Sequence, residues 1–483
     1  MFDVPLLLDG DDASAASGLT FERTNPLSGA VASRAAAATV EDAARAAATA
    51  AGAFPKWSRL GPSARRAALF RAADLIEQRT DLFIAAMAEE TGATAGWSQL
   101  NVSLAASFLR EAASLTTRIG GEVVPSDHKG MISLAVRQPV GVVAAIAPWN
   151  APVVLGVRAI AMPLACGNTV VFKTSELCPH THRLIGDVMR DADLGDGVVN
   201  VIANAPADAE RVVEALIAHP AVRRVNFTGS TRVGRRIAEL AARHLKPALL
   251  ELGGKAPFVV LDDADLEEAS RAAAYSAFMN QGQICMSTER LIVDEAVADR
   301  FAELFARQVA TLVAGDPASG TAPLGPVIGH EAAERVRALV SDAVSKGARV
   351  IVGGRAEGTL VDAVAVDFVT PSMRIYAEET FGPVVAMVRV RGVEEAVRVA
   401  NDTEYGLASA VFGQDIMRAM EVARRIEAGI CHINSATVHD EAQMPFGGVK
   451  ASGYGRFGGS AAIDEFVELR WITIATRPGD YSI

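Results

Sequence analysis

The sequence predicts an α/β protein built around parallel β-sheets that helices cover on both faces. Short apolar runs rich in β-branched residues recur along the chain, and stretches with helical periodicity separate most of them. The 483 residues are also too many for a single hydrophobic core. We therefore expect two or three domains, with ligands bound at the carboxyl ends of the strands.

The region before the predicted sheet is mainly helical. Residues 1–30 contain short strands and turns, and helical spacing of apolar residues follows over 40–54, 62–78, 81–90 and 97–117. Gly120-Gly121 ends this layer, and Met131–Arg137 is interpreted as a strand of an exposed arm.

Two groups of apolar runs predict the strands of two α/β units. The first group comprises 140–147, 168–173, 197–202, 222–228 and 248–252. A second unit begins at Lys255, and its strands include 258–261, 290–293, 384–389 and 430–434. The alternating tail 466–475 is predicted to be a strand that pairs with Met131–Arg137 or with another subunit.

Composition excludes several classes of function. The net charge is -11 without a basic block, which argues against nucleic acid or an anionic membrane as partner. Four cysteines without a CxxC pair indicate a reducing compartment, so we expect a cytoplasmic protein. The apolar region 140–167 contains prolines and Arg158, and is interpreted as a buried strand, a turn and a helix instead of a membrane span.

Cys285 stands in a glycine-containing loop, Asn280 to Thr288, between a helical pattern and a strand-like run. It is either a candidate nucleophile or a small buried hydrophobe. The other three cysteines are expected to be inert core thiols. Cys178, His180 and His182 have suggestive spacing but no fourth ligand, so no metal site is predicted.

Two stretches favour a dinucleotide site. Asn226 to Gly234 follows a strand and opens a helix, where Gly229, Gly234 and Ser230 could admit a pyrophosphate; the alternative is an ordinary turn before a helix. Lys173 and Glu176 follow the second strand of the first unit. A carboxylate there accepts from a ribose 2′-hydroxyl and repels a 2′-phosphate, which favours NAD over NADP; the alternative is that Ser175 and Glu176 cap a helix.

Three further polar residues stand near predicted strand ends. Asn150 is either a helix N-cap or an amide donor facing a site, and Arg158, two turns further on, shares its face. Arg158 forms a structural ion pair or meets a polar group of a ligand. Glu251, followed by two glycines, is either a general base or a surface glutamate. Phenylalanines in the loops 379–383 and 445–450 could form a wall.

Together these motifs resemble the aldehyde dehydrogenase superfamily over nearly the whole chain. The matching pieces are Pro148-Trp149-Asn150, Lys173-Thr-Ser-Glu176, 229–234, 251–255, Gly282-Gln-Ile-Cys285, 378–383 and 445–448. Thr174 and Thr380 stand where the family usually has proline and isoleucine. The resemblance implies a Rossmann-type cofactor domain (1–119 and 140–252), an α/β catalytic domain (253–445) and a β oligomerisation arm (120–139 and 463–483).

The resemblance also implies roles for individual residues. Cys285 would attack the aldehyde carbon, the Asn150 amide and the Cys285 N–H would hold the oxyanion, and Glu251 would activate water to hydrolyse the thioester. Glu251 favours hydrolysis over transfer to coenzyme A. The expected cofactor is NAD, with NADP a weaker possibility, and its expected binding residues are Trp149, Lys173, Ser175, Glu176, Thr228, Gly229, Ser230, Val233, Gly234, Leu252, Gly253, Glu379 and Phe381.

Within the superfamily the chain is similar to salicylaldehyde, vanillin and benzaldehyde dehydrogenases, on the stretches 91–97, 147–158 and 283–290. This similarity implies an aromatic aldehyde as substrate, with Arg158 meeting a ring hydroxyl or pairing with a nearby acid. The expected substrate-binding residues are Trp97, Val154, Arg158, Tyr275, Met279, Ile284, Met286 and Phe446.

Other hypotheses remain open from the sequence. Arg158 could instead pair with the distal carboxylate of a semialdehyde such as succinic semialdehyde. A cofactor-independent cysteine esterase would need a histidine beside Cys285, and none is near in sequence. A non-catalytic scaffold is disfavoured by the intact Cys285, Glu251 and Asn150. We expect a homodimer or homotetramer.

Overall fold

The structure, a computed structural model, describes residues 1–478; the last part of the predicted arm, 479–483, lies outside this range. The largest sheet has eight strands. Its order is Gly453–Tyr454, Ala248–Glu251, Val222–Thr228, Val142–Ile146, Thr169–Lys173, Val199–Ile202, Leu6–Leu8 and Asp11–Ala13. The five central strands run parallel, which confirms the predicted α/β class, and the outer three are antiparallel additions.

A seven-stranded sheet forms the second α/β unit. Its order is Arg349–Val352, Val364–Asp367, Val384–Val390, Thr288–Asp294, Ala256–Val260, Ala408–Phe412 and Ile430–Ile433. All neighbours are parallel except the antiparallel edge strand Arg349–Val352. The Cys285 loop enters this sheet at Thr288.

Three small sheets complete the strands. One contains Phe2–Val4, Val31–Ala36 and Thr20–Thr24, and another pairs Ala356–Glu357 with Leu360–Val361. The third contains Val467–Ala475, Met131–Pro139 and Gly121–Val124, all antiparallel. The tail therefore pairs with the Met131 segment, the first of the two predicted partners.

Fifteen α-helices and five short 3₁₀ turns lie in the described part of the chain. The helices are Val40–Ser58, Pro62–Gln78, Thr80–Thr91, Ala95–Leu115, Pro152–Ala165, Pro179–Asp191, Ala209–Ala218, Thr231–Arg243, Leu266–Phe278, Glu295–Val309, His330–Ser345, Arg374–Ala377, Gly392–Asn401, Ile416–Arg425 and Ala461–Glu465. The 3₁₀ turns are Thr116–Arg118, Pro206–Asp208, Met279–Gly282, Pro317–Ser319 and Lys450–Ser452. None of the helices between residues 1 and 478 combines the length and apolarity that crossing a bilayer requires.

Alternate residues of each central strand belong to different hydrophobic clusters. Val143 and Ala145 face the helices of the N-terminal layer, whereas Val142, Ala144 and Ile146 face the opposite cluster. Because successive side chains of a strand point to opposite faces, both faces of the sheet are buried. Because these central strands are parallel, their carboxyl ends lie at the same end of the sheet. Lys173, Thr228 and Glu251 are the last residues of their strands, and Asn150 comes shortly after the strand Val142–Ile146. The predicted domain boundaries remain a prediction.

Candidate active site

Two depressions meet at the thiol of Cys285. One is a cavity of about 380 Å³ and the other a cleft of about 510 Å³. Cys285, Asn150 and Leu155 line both of them. A molecule in the cavity and a molecule in the cleft would therefore meet at this sulfur.

The cavity contains seven of the eight residues expected to bind substrate. They are Trp97, Val154, Arg158, Tyr275, Ile284, Met286 and Phe446. Apolar side chains such as Leu100, Leu104 and Val438 complete most of the wall, and His439 to Glu441 contribute a polar segment. An apolar chamber with few polar groups is typical of small-molecule sites.

Met279 is the exception, because it does not line the cavity. The helix that carries Tyr275 ends at Phe278, and Met279 begins a 3₁₀ turn. Met279 is partly buried and packs against the hydrophobic core.

Three consecutive left-handed residues place the thiol. Asn280, Gln281 and Gly282 have φ values of 48, 57 and 68°. A Cβ at Gly282 would lie 2.3 Å from the carbonyl oxygen of Gly382, so no side chain fits there. Side-chain bonds stabilise the two strained residues, since Asn280 donates to the Asn150 carbonyl at 3.0 Å and Gln281 to the Pro326 carbonyl at 2.9 Å.

Asn150 lies beside Cys285 but does not cap a helix. Ala151 is the N-cap of the helix Pro152–Ala165, so the capping alternative is wrong. The side-chain amide of Asn150 donates to the backbone carbonyl of Gln283 at 3.0 Å. The backbone carbonyl of Asn150 accepts from Trp97 Nε1 at 3.0 Å. These bonds hold the amide next to the cysteine loop.

Glu251 is a buried carboxylate, not the surface glutamate of the alternative. It is 1% exposed, and neither carboxylate oxygen has a hydrogen-bond partner in the described part of the chain. Burial raises the pKa of Glu251 to about 8, although the nearby Arg158 guanidinium lowers it. Burial also raises the pKa of the Cys285 thiol, and the negative charge of Glu251 raises it further. The two groups are therefore electrostatically coupled.

Arg158 forms an ion pair with Asp440 inside the cavity wall. The side chains are 2% and 8% exposed. The guanidinium carbon also lies 4.6 Å from the ring centre of Phe108 and 4.2 Å from that of Phe446. The pair thus satisfies the first sequence alternative for Arg158, while both of its members remain in the cavity lining.

The cleft brings together eight of the residues expected to bind cofactor. They are Trp149, Thr228, Gly229, Ser230, Leu252, Gly253, Glu379 and Phe381. Ser230 caps the helix Thr231–Arg243, and Trp149 packs edge-on against Phe381 with ring centres 5.8 Å apart. A Cβ at Gly234 would lie 2.3 Å from Leu252, so this glycine serves helix–strand packing and does not line the cleft.

Lys173, Ser175, Glu176 and Val233 also lie outside the cleft lining. Lys173 forms an ion pair with Glu176, which accepts a further hydrogen bond from Asn204 at 3.1 Å. Burial opposes ionisation of Glu176, but Lys173 outweighs it, so its pKa is lowered and the carboxylate is charged. The helix-capping alternative is wrong, because Cys178 is the N-cap of the next helix and makes no side-chain capping bond.

A buried ion pair supports the loop that carries Glu379 and Phe381. Lys255 Nζ lies 2.7 Å from Glu289, whose carboxylate also accepts from the backbone N–H groups of Thr380 and Phe381. Glu379 Oε1 accepts from the Gly254 N–H at 2.9 Å. Burial raises the pKa of Glu379 to about 7.

Sequence reasoning missed several lining residues. His439, Asp440 and Glu441 lie in the cavity, and Arg23, His330 and Arg335 lie in the cleft. The first three are consecutive polar residues shortly before the Pro445 motif, a signal that was available. The others come from distant segments that carry no motif, so only the packing reveals them.

Residues 13–472 match the aldehyde dehydrogenase family. A vanillin dehydrogenase of Pseudomonas sp. strain HR199 is 62% identical over 483 residues, 100% of each chain. A benzaldehyde dehydrogenase [NAD(+)] of Pseudomonas putida is 38% identical over 428 residues, 88% of this chain and 87% of that one. The crystal structure of a salicylaldehyde dehydrogenase from Pseudomonas putida G7, complexed with salicylaldehyde, has a TM-score of 0.98 and 48% identity over 100% of both chains. The chain belongs to the aldehyde dehydrogenase family.

Proposed function

We propose that this enzyme oxidises aromatic aldehydes of the vanillin, salicylaldehyde or benzaldehyde type to carboxylic acids, with NAD as cofactor. The observation that carries the proposal is the position of Cys285, which lines both the apolar cavity and the cleft. The relatives named above act on aldehydes of this type. Aromatic and aliphatic side chains in the cavity suit a flat ring.

Cys285 is the proposed nucleophile. Its sulfur adds to the aldehyde carbon, and the carbonyl oxygen becomes an oxyanion beside the Asn150 amide and the Cys285 backbone N–H. Donors at such a position contribute about 3 to 4 kcal/mol in other enzymes. Because burial and the negative charge of Glu251 raise the pKa of the resting thiol, we propose that ionised Glu251 accepts the thiol proton as the sulfur–carbon bond forms.

Glu251 is the proposed general base for hydrolysis of the thioester. Both of its oxygens are sealed from solvent and lack partners within the described residues, and Glu251 lines neither the cavity nor the cleft. The side chain therefore has no hydrogen bond to break when it turns toward a water molecule in the site. A pKa of about 8 makes the ionised form a stronger base than an ordinary glutamate. We therefore expect thioester hydrolysis to become faster as the pH rises through the pKa of Glu251.

The cleft residues fit a nicotinamide nucleotide. Glu379 uses Oε1 for the Gly254 N–H, which leaves Oε2 for a ribose hydroxyl, and Phe381 forms an adjacent wall. Thr228, Gly229 and Ser230 lead into a helix N-terminus suited to a pyrophosphate. A bound nicotinamide supplies the hydride acceptor. The preference for NAD over NADP is supported by the benzaldehyde dehydrogenase [NAD(+)] relative, because Glu176 is paired with Lys173 outside the cleft lining.

The arm is proposed to join subunits in a homodimer or homotetramer. Val467–Ala475 is an edge strand of its sheet, and Leu469 and Trp471 on it are 66% and 78% exposed. An unpaired edge with large apolar side chains is a ready template for another chain. Sedimentation velocity of the purified protein measures the assembly, and a monomer at micromolar concentration would contradict the proposal.

The competing hypotheses have weaker support. Asp440 already neutralises Arg158, which disfavours a distal carboxylate of a semialdehyde. His439 does line the cavity with Cys285, as a cysteine esterase would require. However, its Nε2 lies 2.9 Å from Glu441, and no histidine hydrogen-bonds Cys285 in the described part of the chain.

A substrate panel tests the proposal. Vanillin, salicylaldehyde, benzaldehyde and succinic semialdehyde are each assayed with NAD and with NADP at the absorbance of the reduced cofactor. We expect the highest kcat/KM with an aromatic aldehyde and NAD. A preference of tenfold or more for the semialdehyde would contradict the aromatic substrate. A preference of tenfold or more for NADP would contradict NAD as the cofactor. Ester cleavage that survives disruption of the cleft would favour the esterase.

A further inference from the structure

We propose that Glu289 and Thr380 are positioning residues that fix the nicotinamide relative to the Cys285 sulfur. The inference rests on the proposed oxidation of aldehydes with NAD, and it adds two residues that line neither the cavity nor the cleft. Both act through the loop 379–383, here called the ribose loop, because its Glu379 is the proposed partner of the nicotinamide ribose.

Glu289 links the ribose loop to the segment that carries the nucleophile. It is the second residue of the strand Thr288–Asp294, which leaves the loop of Cys285. Its carboxylate accepts from the backbone N–H groups of Thr380 and Phe381 at 3.0 and 3.1 Å. The backbone that holds the thiol thus continues directly into the residue whose side chain holds the ribose loop.

The hydroxyl of Thr380 adds a side-chain bond to this link. It donates to Glu289 Oε2 at 2.6 Å, and Lys255 Nζ donates to the same oxygen at 2.7 Å. Thr380 and Glu289 are 1% and 4% exposed, so water does not compete for these bonds. Hydrogen bonds to a charged group are stronger than neutral ones, and a dry environment strengthens them further. Thr380 stands where the family usually has isoleucine, which offers no donor.

The ribose loop needs this restraint because Phe381 has a left-handed backbone. Its φ is 44°, a region that residues with a side chain occupy only when their surroundings hold them there. The N–H group of Phe381 is one of the two that bond Glu289, so the carboxylate holds the strained residue itself. Arg335 adds bonds to the carbonyls of Thr380 and Phe381 at 3.1 and 3.4 Å from the other side of the peptide chain.

The ribose loop and the loop of Cys285 also pack against each other. A Cβ at Gly282 would lie 2.3 Å from the carbonyl oxygen of Gly382, so the two backbones are in contact there. Glu379, Phe381 and Cys285 all line the cleft. A shift of the ribose loop would therefore move the nicotinamide relative to the sulfur, and a misplacement of about 1 Å can cost a reaction about 100-fold in rate.

The main test is Thr380→Val, because valine keeps the shape of the side chain and the backbone bonds but loses the hydroxyl. The substrate is the aromatic aldehyde that wild type oxidises best. Since one of several restraints is lost, the single-turnover rate of NADH formation at saturating NAD should fall about tenfold. Deuterium at the aldehyde carbon should slow turnover more than in wild type, because hydride transfer becomes the slower step. Thr380→Ser restores the hydroxyl and should keep the rate within about threefold of wild type.

Two measurements without cofactor distinguish a positioning role from general damage. Alkylation of Cys285 by iodoacetamide, followed by peptide mass spectrometry, should proceed in Thr380→Val at the wild-type rate, because the loop of Cys285 keeps its own bonds. Hydrogen exchange of the backbone amides in peptides covering 379–383 should become faster, because the ribose loop is less restrained.

Thr169→Val is the matched control. Thr169 is a buried threonine whose hydroxyl bonds the Ala50 carbonyl at 2.8 Å, at the opposite end of its strand from Lys173. This variant should change neither NADH formation nor exchange of the ribose loop.

A second variant keeps the test decisive if thermal unfolding shows that Thr380→Val does not fold. Lys255→Met with Glu289→Leu replaces the buried ion pair by apolar residues, which is often neutral for folding. It also removes the acceptor of both N–H groups in the ribose loop. The same fall in NADH formation and the same faster exchange are expected.

The outcomes separate this inference from the proposed function. A single-turnover rate in Thr380→Val within about threefold of wild type, or unchanged exchange of the ribose loop, would overturn the inference. A parallel fall in alkylation of Cys285 would also overturn it, because the hydroxyl would then support the thiol and not the place of the cofactor. In each of these cases wild type still oxidises the aldehyde. If wild type oxidises no aromatic aldehyde with NAD or NADP, the proposed function itself fails.

Discussion

Replacing Glu251 by glutamine should stabilise the folded protein at pH 8 to 9 but not at pH 4 to 5. The Glu251 carboxyl is buried and has no hydrogen-bond partner within the described residues. Burial raises its pKa from 4.5 to about 8. Glutamine keeps the shape of the side chain and never ionises. The variant therefore lacks the pH-dependent loss of folding stability that burial of the carboxyl causes.

The sign follows from the protons bound in each state. Below pH 4.5 the carboxyl is protonated in both states and contributes no pH dependence. Between pH 4.5 and about 8 the unfolded chain loses the proton while the folded protein keeps it, so stability falls as pH rises. Above pH 8 the loss of folding stability is complete. One unit of pKa difference corresponds to about 1.4 kcal/mol, so the rise from 4.5 to about 8 corresponds to about 5 kcal/mol. For a chain of this length that corresponds to roughly 5 °C in the unfolding midpoint.

Calorimetric midpoints of wild type and Glu251→Gln, each at pH 5 and pH 8.5, measure the effect. The unfolding midpoint of the variant minus that of wild type should be several degrees larger at pH 8.5 than at pH 5. Asp464→Asn removes an exposed carboxylate that pairs with Arg137 of the arm. Its unfolding midpoint should change between pH 5 and pH 8.5 by the same amount as that of wild type. Equal midpoint differences between Glu251→Gln and wild type at both pH values would refute the assignment of a raised pKa to Glu251.

Three other predictions concern the site. Cys285→Ala should abolish NADH production, because no sulfur remains to attack the aldehyde, while calorimetric titration should still detect NAD binding; turnover by this variant would contradict the nucleophile assignment. Glu251→Gln should release at most one NADH per site and then stall as a thioester, and mass spectrometry without a covalent adduct would count against the base. Lys255→Met should leave the buried Glu289 carboxylate unpaired, destabilise the protein by about 3 to 5 kcal/mol and raise KM for NAD. The matched control Arg271→Met breaks an exposed ion pair and should change neither the midpoint nor KM.

Local patterns were sufficient for the five central strands of the first sheet but not for all strands of the second, where Arg349–Val352, Val364–Asp367 and Ala408–Phe412 were not predicted. Continuous apolar runs predicted the five central strands of the first sheet because both of its faces are buried. The sequence showed a glycine in the loop of Cys285, and the structure shows why no side chain fits at Gly282, since a Cβ there would lie 2.3 Å from the Gly382 carbonyl oxygen. The sequence did not show that the helix ends at Phe278, where Met279 begins a 3₁₀ turn and does not line the cavity.

The state of individual polar groups could not be predicted in the same way. Glu251 looked like either a base or a surface residue, and its burial depends on the strand Gly453–Tyr454 and on loops that come from far along the chain. Lys173 and Glu176 were expected beside a nucleotide, yet they lie outside the cleft lining and bond each other. Whether a polar side chain is buried or paired depends on which residues from distant segments pack against it.

The sequence by itself determined the alternation of strands and helices, the family resemblance and the position of the reactive thiol, because these follow from spacing and local chemistry. Only the tertiary structure decided that Cys285 lies where a cavity and a cleft meet, and that Arg158 pairs with Asp440, 282 residues away. Contacts over that distance arise when two sheets and their loops pack together, and no local pattern in either segment specifies the partner.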